Sequence, residues 1–596
     1  MVKVVERDGD GGQGAGGDRW QRQINTWDQV VEKFGLDKNR YVDFEYLLYL
    51  DLYDPFVENY VKFQLGSEDP IIKFRIRHHY EFWESITDVP WILDVIKNGV
   101  ALPFEREPPN ILLPNNRTVI EKDAVGWVRE TIKEYLSFGF IKRVDSVPKC
   151  VMPLQVKDTG GKKALIFDMS VLNEYVAKGK FKLEGWEEMF NFASNANFAI
   201  KFDLKKFYHE IDIRTDMQTF FGFMYQMEDG CNHDYFVWET IPYGYTRAPF
   251  IAKSLMKPLV TRWRRMGIKI VVFYDDGMAV GRNAQLLRRM SLQIQCDLLR
   301  AGLVPGVGKC IWLPEKTVSW NGLIFDFVNF GLKVMPHRID HAKEKTNMIL
   351  ENWPNGSYRD IAQFLGQLNS MHPVLAGNAT LYTKMLQAIV NIRHFHDYPW
   401  TGIINSVSGT LLEAAFSELK FWKENMDTKN FRPFKDPLPD ACGWVDASDR
   451  AIGGVLVRLL PLELKAVPCT IDNWLLDGAG LLPRLHSCAD LQAGVGEQVV
   501  RPVVDHGLDP AVVRDVFLVH RNLQYVEMAT DSNERELLAA VELNLGCLNL
   551  IENTTLTLHF DNMNAASICE QGSSKFRLHR YATYIASLCN SRKIRL

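Results

Sequence analysis

The chain has 596 residues, too many for a single hydrophobic core, and a length prior gives about three to five domains. Apolar residues make up 46% and charged residues 24%, an ordinary folded composition that excludes a wholly disordered or collagen-like chain. A formal charge of -4 excludes a global positive field, so any nucleic-acid partner must be met by a local basic cleft. Arg262, Arg264 and Arg265 form one such local cluster, which equally suits a solvated helix face. The ten Cys include no CxxC pair, which argues against a zinc ribbon. No N-terminal apolar segment resembles a secretory signal and no apolar run is long enough to span a bilayer. These features predict an intracellular protein of the cytoplasm or nucleus, without membrane association.

In chain order, residues 1–19 are Gly-rich and expected to be disordered. Residues 20–118 are aromatic-rich and read as a folded extension without visible chemistry. A helix is predicted over 120–139, followed by the short strand FIKRV. From 146 to 280 short apolar runs alternate with turns, interrupted by a helix over Ala248–Met266 and followed by another over Ala284–Ala301. This is an α+β pattern with a small sheet and helices on one face, closing near 330. Residues 331–438 read mostly helical, ending in the Pro-rich joint FRPFKDPLPD. The segment 439–596 opens with a strand pair, passes a poorly patterned stretch at 461–517, and continues as helix 533–545, strand 555–560 and helix 575–589. It stops at KIRL, which reads as the start of a further strand, so a longer natural protein is expected.

Three aspartates carry the first chemical signal. Asp203 ends the run FAIKF, and Asp275 and Asp276 follow IKIVVF. Carboxylates at the ends of buried strands are costly unless something offsets their desolvation and mutual repulsion, and divalent cations do both. Two neighbouring strands would bring Asp203 and Asp275 to a shared metal pair. Strand alternation would aim Asp275 and Asp276 to opposite faces, so that one ligates and the other is peripheral. The chemistry that uses such a site is phosphoryl transfer, with one metal activating a 3′-hydroxyl and another neutralising the leaving pyrophosphate. YDDG alone equally suits a tight turn.

The surrounding residues resemble a known family. FDLKKFYH at 202–209 resembles motif A of reverse transcriptases, TIPYGYTRAP at 240–249 motif B, and FYDD at 273–276 motif C. Gly302-Leu303 through Lys309-Cys310 resembles motif D, and Trp320-Asn321-Gly322 the primer-grip turn. With DIAQFLGQLNS at 360–370, the flavour is most similar to the reverse transcriptase–ribonuclease H polyprotein of DIRS-like retrotransposons, with long-terminal-repeat elements as near relatives. The resemblance implies that Tyr208 excludes a 2′-hydroxyl and that Tyr243 and Gly244 lie near the incoming nucleotide. It implies that Lys157 meets the γ-phosphate and that Lys309 protonates or neutralises pyrophosphate. Two positions depart from the pattern: Ala164 and Ser170 stand where the family has arginine, and alanine offers neither charge nor a planar stack. Lys162 or Lys163 could compensate.

A second constellation resembles ribonuclease H: Asp446 in GWVDAS, Glu536 in SNERELLAA and Asp561 at the start of DNMNAAS. Strand, helix and strand would bring these acids together as a second two-metal site, for hydrolysis of a phosphodiester. The family's fourth position lies beyond Leu596, and His579, predicted helical, is a poor substitute. The expected fold class is a multidomain α+β right-hand polymerase (fingers, palm, thumb/connection), followed by a ribonuclease H-like mixed-sheet domain lacking its C-terminal helix. The expected activity is RNA-directed, and also DNA-directed, DNA polymerisation with ribonuclease H cleavage. It would use Mg²⁺ or Mn²⁺ and deoxynucleoside triphosphates, on an RNA template, a DNA primer strand and an RNA–DNA hybrid. The competing reading is a weakened or repurposed fold serving as a nucleic-acid-binding or protein-interaction scaffold. An RNA-templated RNA polymerase is disfavoured by Tyr208.

Overall fold

The computed structural model describes residues 76–159, 162–179, 181–306, 309–435, 437–459, 485–487 and 513–595. The Gly-rich start and most of the extension, as well as most of 461–517, therefore lie outside the described residues. The chain divides into two compact units, one through Asn321 with Phe325–Val328, the other Gly322–Ile324 with Asn329–Leu596. The multidomain α+β class expected from the sequence is what the elements form.

The first unit contains a five-stranded sheet in the order 111–112, 150–151, 222–225, 234–238, 141–144, and a hairpin of Leu154–Thr159 with Lys162–Phe167. Its four-stranded antiparallel sheet runs 311–315, 198–203, 276–281, 269–273. The helices Ala248–Arg265 and Ala284–Arg300 pack on this sheet. The first of them forms because Ala248, Ile251, Ala252, Leu255, Met256, Leu259 and Trp263 recur at helical spacing and are all buried. It has Pro in its first turn and ends before Gly267, which adopts φ +85°. Two of the three arginines of the predicted basic cluster in its last turn are engaged by partners within the unit, while Arg265 is exposed. Arg262 pairs with buried Asp297 at 3.1 Å, and Arg264 donates to Glu184 and to the Ile270 carbonyl. The helices Tyr80–Ile86 and Pro90–Asn98 share the apolar core of this unit, and Trp83 Nε1 donates to the Ala301 carbonyl at 3.0 Å.

The second unit opens with the strand Gly331–Val334, which the helical reading of 331–438 did not foresee, and continues with five helices between Pro336 and Asn425. Ser357 and Asp360 form a capping box at the start of Tyr358–Ser370, fixing where that helix begins. A mixed five-stranded sheet follows, in the order 485–487, 513–522, 451–459, 441–447, 556–560, with 441–447 antiparallel to 451–459 and parallel to 556–560. The ten-residue strand Val513–Asn522 occupies the end of a stretch that carries no visible pattern in the sequence. The helix Ser532–Gly546, capped by Asp531, covers the sheet. The last helix, Phe576–Ser591, packs against it, and Arg595 then makes an isolated parallel bridge to Thr555.

Candidate active sites

The strand Phe198–Asp203 lies between 311–315 and 276–281, and Asp203 is in register with Asp276. The turn joining 269–273 to 276–281 consists of Tyr274 and Asp275, since Phe273 pairs directly with Asp276. This corrects the alternation argument: Asp275 is not a strand residue, so its direction is set by the turn. Tyr274 adopts φ +59°, a left-handed conformation unusual for a bulky residue. It brings the Asp275 carbonyl to accept the Leu204 N–H at 2.8 Å, binding the turn to the end of the Asp203 strand. All three aspartates thus gather where the two central strands of the sheet end.

Their electrostatics reflect crowding. Burial raises Asp276 to about 7, opposed by Lys201 and reinforced by Asp203 and Asp275. Burial also raises Asp275, with Asp203 adding to the shift. Asp276 Oδ1 is buried without a hydrogen-bond partner. Lys309 Nζ donates to Asp203 Oδ1 at 3.1 Å and lies 3.4 Å from Oδ2, and this bond raises the lysine's own pKa. Several neighbours of the cluster were not foreseen as site residues: Lys201, Gly306, Cys310 and Trp320. The Gly306 N–H donates to the Asp203 carbonyl at 2.6 Å, Cys310 Sγ lies 3.4 Å from the Asp203 N–H, and Trp320 Nε1 donates to the Asp276 carbonyl at 3.3 Å. Gly306, Cys310 and Trp320 fall within the motif D and primer-grip resemblances without having been singled out, and Lys201 could have been found from its place two residues before Asp203 on the same strand face.

Beside the acids, Tyr208 sits on the short 3₁₀ turn Phe207–Glu210 and meets Tyr243 edge to face, with ring centroids 5.2 Å apart. Burial raises the Tyr208 phenol and pushes Tyr243 up to about 12, so both remain neutral donors at physiological pH. Tyr243 is 52% exposed. Gly244 adopts φ +105°, and a Cβ there would lie 2.8 Å from the Phe167 carbonyl, so only glycine suits the position. Asn173 clamps this loop from both sides, donating to the Gly244 carbonyl at 2.8 Å and accepting the Thr246 N–H at 3.0 Å. Lys157 is exposed on the hairpin, in register with Ala164. Ser170 donates to Asp168, and Lys163, offered as a substitute for the absent arginine, is engaged by the Asp123 carbonyl at 3.0 Å. The Lys162 side chain lies outside the described residues.

In the second unit, Val445 is in parallel register with Phe560, so Asp446 and Asp561 follow the last paired positions of adjacent strands. Burial raises Glu536, and Asp561 is the next cause, which places these two acids close together. Glu536 Oε2 is buried without a partner, while Oε1 accepts from Ser532 at 3.3 Å. Asn562 donates to Asn533 at 3.0 Å, tying the strand end to the helix start. The neighbouring Glu534 is engaged by Arg577 at 2.6 Å and by Tyr581, leaving Glu536 as the available glutamate. His579 is buried in the last helix with Nε2 3.4 Å from Glu418, a packing position away from these acids' own contacts.

Among the described residues no group of three or more His, Cys, Asp or Glu is arranged to hold a metal ion as the chain is folded. The chemistry of the donors nonetheless suits hard divalent cations. Both clusters offer carboxylate oxygens, and each has one buried oxygen without a partner.

A family model described as reverse transcriptase (RNA-dependent DNA polymerase) matches residues 156–325. That span holds Asp203, Tyr208, Tyr243, Asp275, Asp276 and Lys309. Over that span the chain is reverse-transcriptase-like. It is 21% identical over 362 residues to a genome polyprotein of Petunia vein clearing virus (isolate Hohn), covering 60% of this chain and 15% of that polyprotein. It is 20% identical over 277 residues to a putative enzymatic polyprotein of Cassava vein mosaic virus, covering 45% of this chain and 40% of that one. The chain thus matches well under half the length of either relative, and these relatives are viral polyproteins rather than DIRS-like elements. A solved foamy viral protease-reverse transcriptase in complex with dsDNA aligns over 82% of this chain and 86% of its own, with 13% identity and a TM-score of 0.46. Its complex with an RNA/DNA hybrid aligns over 82% of this chain and 56% of its own, with 12% identity and a TM-score of 0.44. Among the described residues no helix is long and apolar enough to cross a membrane.

Proposed function

We propose that the chain is an RNA-directed DNA polymerase, also able to copy DNA, that extends a primer 3′-hydroxyl on a nucleic-acid template. Its second unit would carry a ribonuclease H-type site for RNA in RNA–DNA hybrids. The observation that carries the reading is the register of Asp276 against Asp203 with Asp275 in the adjoining turn, beside the Tyr208–Tyr243 pair. A structural role alone gives no reason to hold three acids where burial raises the pKa of two of them.

Mg²⁺, or Mn²⁺ in its place, held by these carboxylates would supply Lewis-acid activation of the 3′-hydroxyl and charge neutralisation on the polyphosphate. The chain's own residues do the rest. Tyr208, braced by Tyr243, presents a ring where a 2′-hydroxyl would overlap it. Gly244 and the Asn173 clamp let backbone approach the nucleotide closely. Lys157 and Lys309 offer ammonium groups to the triphosphate of a deoxynucleotide. Asp446, Glu536 and Asp561 would serve hydrolysis in the second unit. The partners follow as template RNA, primer DNA and their hybrid, in the cytoplasm or nucleus.

A second reading, a weakened or repurposed scaffold, is favoured by Ala164, which faces Lys157 where the resemblance calls for arginine. Primer extension with Mg²⁺ separates the two. We expect extension with deoxynucleotides in preference to ribonucleotides, abolished in the Asp275→Asn/Asp276→Asn double variant. Absence of extension that the double variant removes would leave the scaffold reading.

A further inference from the structure

Resting on the polymerase reading, we propose that Lys309 is a resident counter-ion of Asp203, which a divalent cation must displace before the acids can hold it. Lys309 Nζ reaches both oxygens of the Asp203 carboxylate, at 3.1 and 3.4 Å, and so covers the face through which a cation would be chelated. The approach is built into the main chain. Three residues earlier, the Gly306 N–H donates to the Asp203 carbonyl at 2.6 Å, and Cys310 Sγ lies 3.6 Å from the same carbonyl oxygen. These contacts hold the segment bearing Lys309 alongside the end of the Asp203 strand. A Cβ at position 306 would lie 3.2 Å from Asp203 Oδ1, so the carboxylate is hemmed in on that side as well.

The strength of the pair suits exchange. Lys309 is 69% exposed and Asp203 20% exposed, so solvent screens their attraction. A fully buried pair would be a permanent tie, whereas this one can be traded for a doubly charged ion that binds the same oxygens. Lys309 also bears on Asp275 and Asp276, whose negative charge raises its pKa further, after the dominant bond to Asp203. A cation entering the cluster therefore meets an ammonium in its way and repels it by like charge. Cation uptake and Lys309 release become one event. The freed ammonium, on the same side of the site, is then available to the polyphosphate of an arriving nucleotide. The pairing thereby keeps the acids partly neutralised until catalysis needs them.

The test is Mn²⁺ binding to the full chain without nucleic acid or nucleotide, read from the loss of the free Mn²⁺ electron paramagnetic resonance signal. Lys309→Met keeps the apolar stem and removes the charge. We expect it to bind Mn²⁺ about tenfold tighter than the wild type. Lys309→Arg should stay near the wild type, and adding Asp203→Asn to Lys309→Met should erase the gain. The position is exposed, so folding is not at stake; matched circular dichroism melts verify this. With Asp446→Asn in every variant to silence the second cluster, equal or weaker Mn²⁺ binding by Lys309→Met, with the Asp203-dependent binding still lost in Asp203→Asn, overturns the counter-ion role and leaves the polymerase reading standing. Absence of carboxylate-dependent Mn²⁺ binding in every variant overturns the polymerase reading and this inference together.

Discussion

His209 is stacked between Phe140 and Trp238, at centroid distances of 4.6 and 5.2 Å, and its Nδ1 lies 3.1 Å from the Ile241 carbonyl. It also meets the ring of Tyr243 edge to face at 5.2 Å, so it braces one of the two tyrosines beside the acids. Burial, with Lys206 adding to it, pushes its pKa down to about 3. The sign follows directly. Below its ordinary value of about 6.5 the unfolded chain takes up a proton that the folded chain refuses, so stability falls as pH drops from there toward 3. At about 1.4 kcal/mol per pH unit, the loss reaches about 2 kcal/mol at pH 5. Replacing His209→Phe keeps an aromatic plate in the stack and removes the titrating group. Between pH 7.5 and 5 the variant should gain about 2 kcal/mol relative to the wild type, read as urea dependence of hydrogen exchange in strand 234–238. Parallel pH dependences for the two proteins would show that His209 does not stay neutral in the fold.

At the scale of elements, the hairpin 269–281 shows what sequence patterning can and cannot convey. The first strand was legible from its β-branched run, whereas the second, 276–281, was not, because the Asp276-Gly277 pair reads as a turn yet lies within that strand. The left-handed Tyr274 was not, because nothing in the residue type announces φ +59°, and without it the alternation rule misplaces Asp275. The helices 248–265 and 532–546 were legible from their spacing, yet the strand Val513–Asn522 was hidden, since its start adjoins a stretch without alternation. At the site, the acids and tyrosines could be picked out by motif. The bond from Lys309 to Asp203 and the Asn173 clamp could not be, because each joins residues far apart in the chain. Gly277 offers a test of how tightly the hairpin is set. A Cβ there would lie 2.3 Å from the ring of Phe202, which is buried against Trp312 and Trp263 and has little room to retreat. Gly277→Ala should cost about 1–3 kcal/mol by overpacking and shift Asp276 out of register with Asp203. Its thermal transition should fall and primer extension should drop with it; an unshifted transition would mean the ring yields easily.

For the molecule as a whole, the useful fact is that the two acidic clusters belong to different compact units. Asp203, Asp275 and Asp276 stand at the ends of central strands and in the adjoining turn in the first, and Asp446, Glu536 and Asp561 at the strand ends and helix start of the second. Each unit has its own apolar core, one built around residues such as Phe202, Trp263 and Ile270, the other around Leu456, Leu537 and Ile585. Units with separate cores can lose one function without losing the other's fold. Two activities resting on separate carboxylates should therefore be separable by single-site chemistry. Asp446→Asn should abolish cleavage of the RNA strand in an RNA–DNA hybrid while primer extension continues, because the substitution lies outside the polymerase core. The Asp275→Asn/Asp276→Asn pair should do the reverse, ending extension and sparing cleavage. Running both assays on both variants also guards against a contaminating nuclease, whose activity would ignore Asp446. If cleavage survives Asp446→Asn unchanged, the second cluster is not a hydrolytic site, whatever its likeness to one. If either substitution removes both activities from protein that melts like the wild type, the two sites work as one, and their assignment to independent units is wrong.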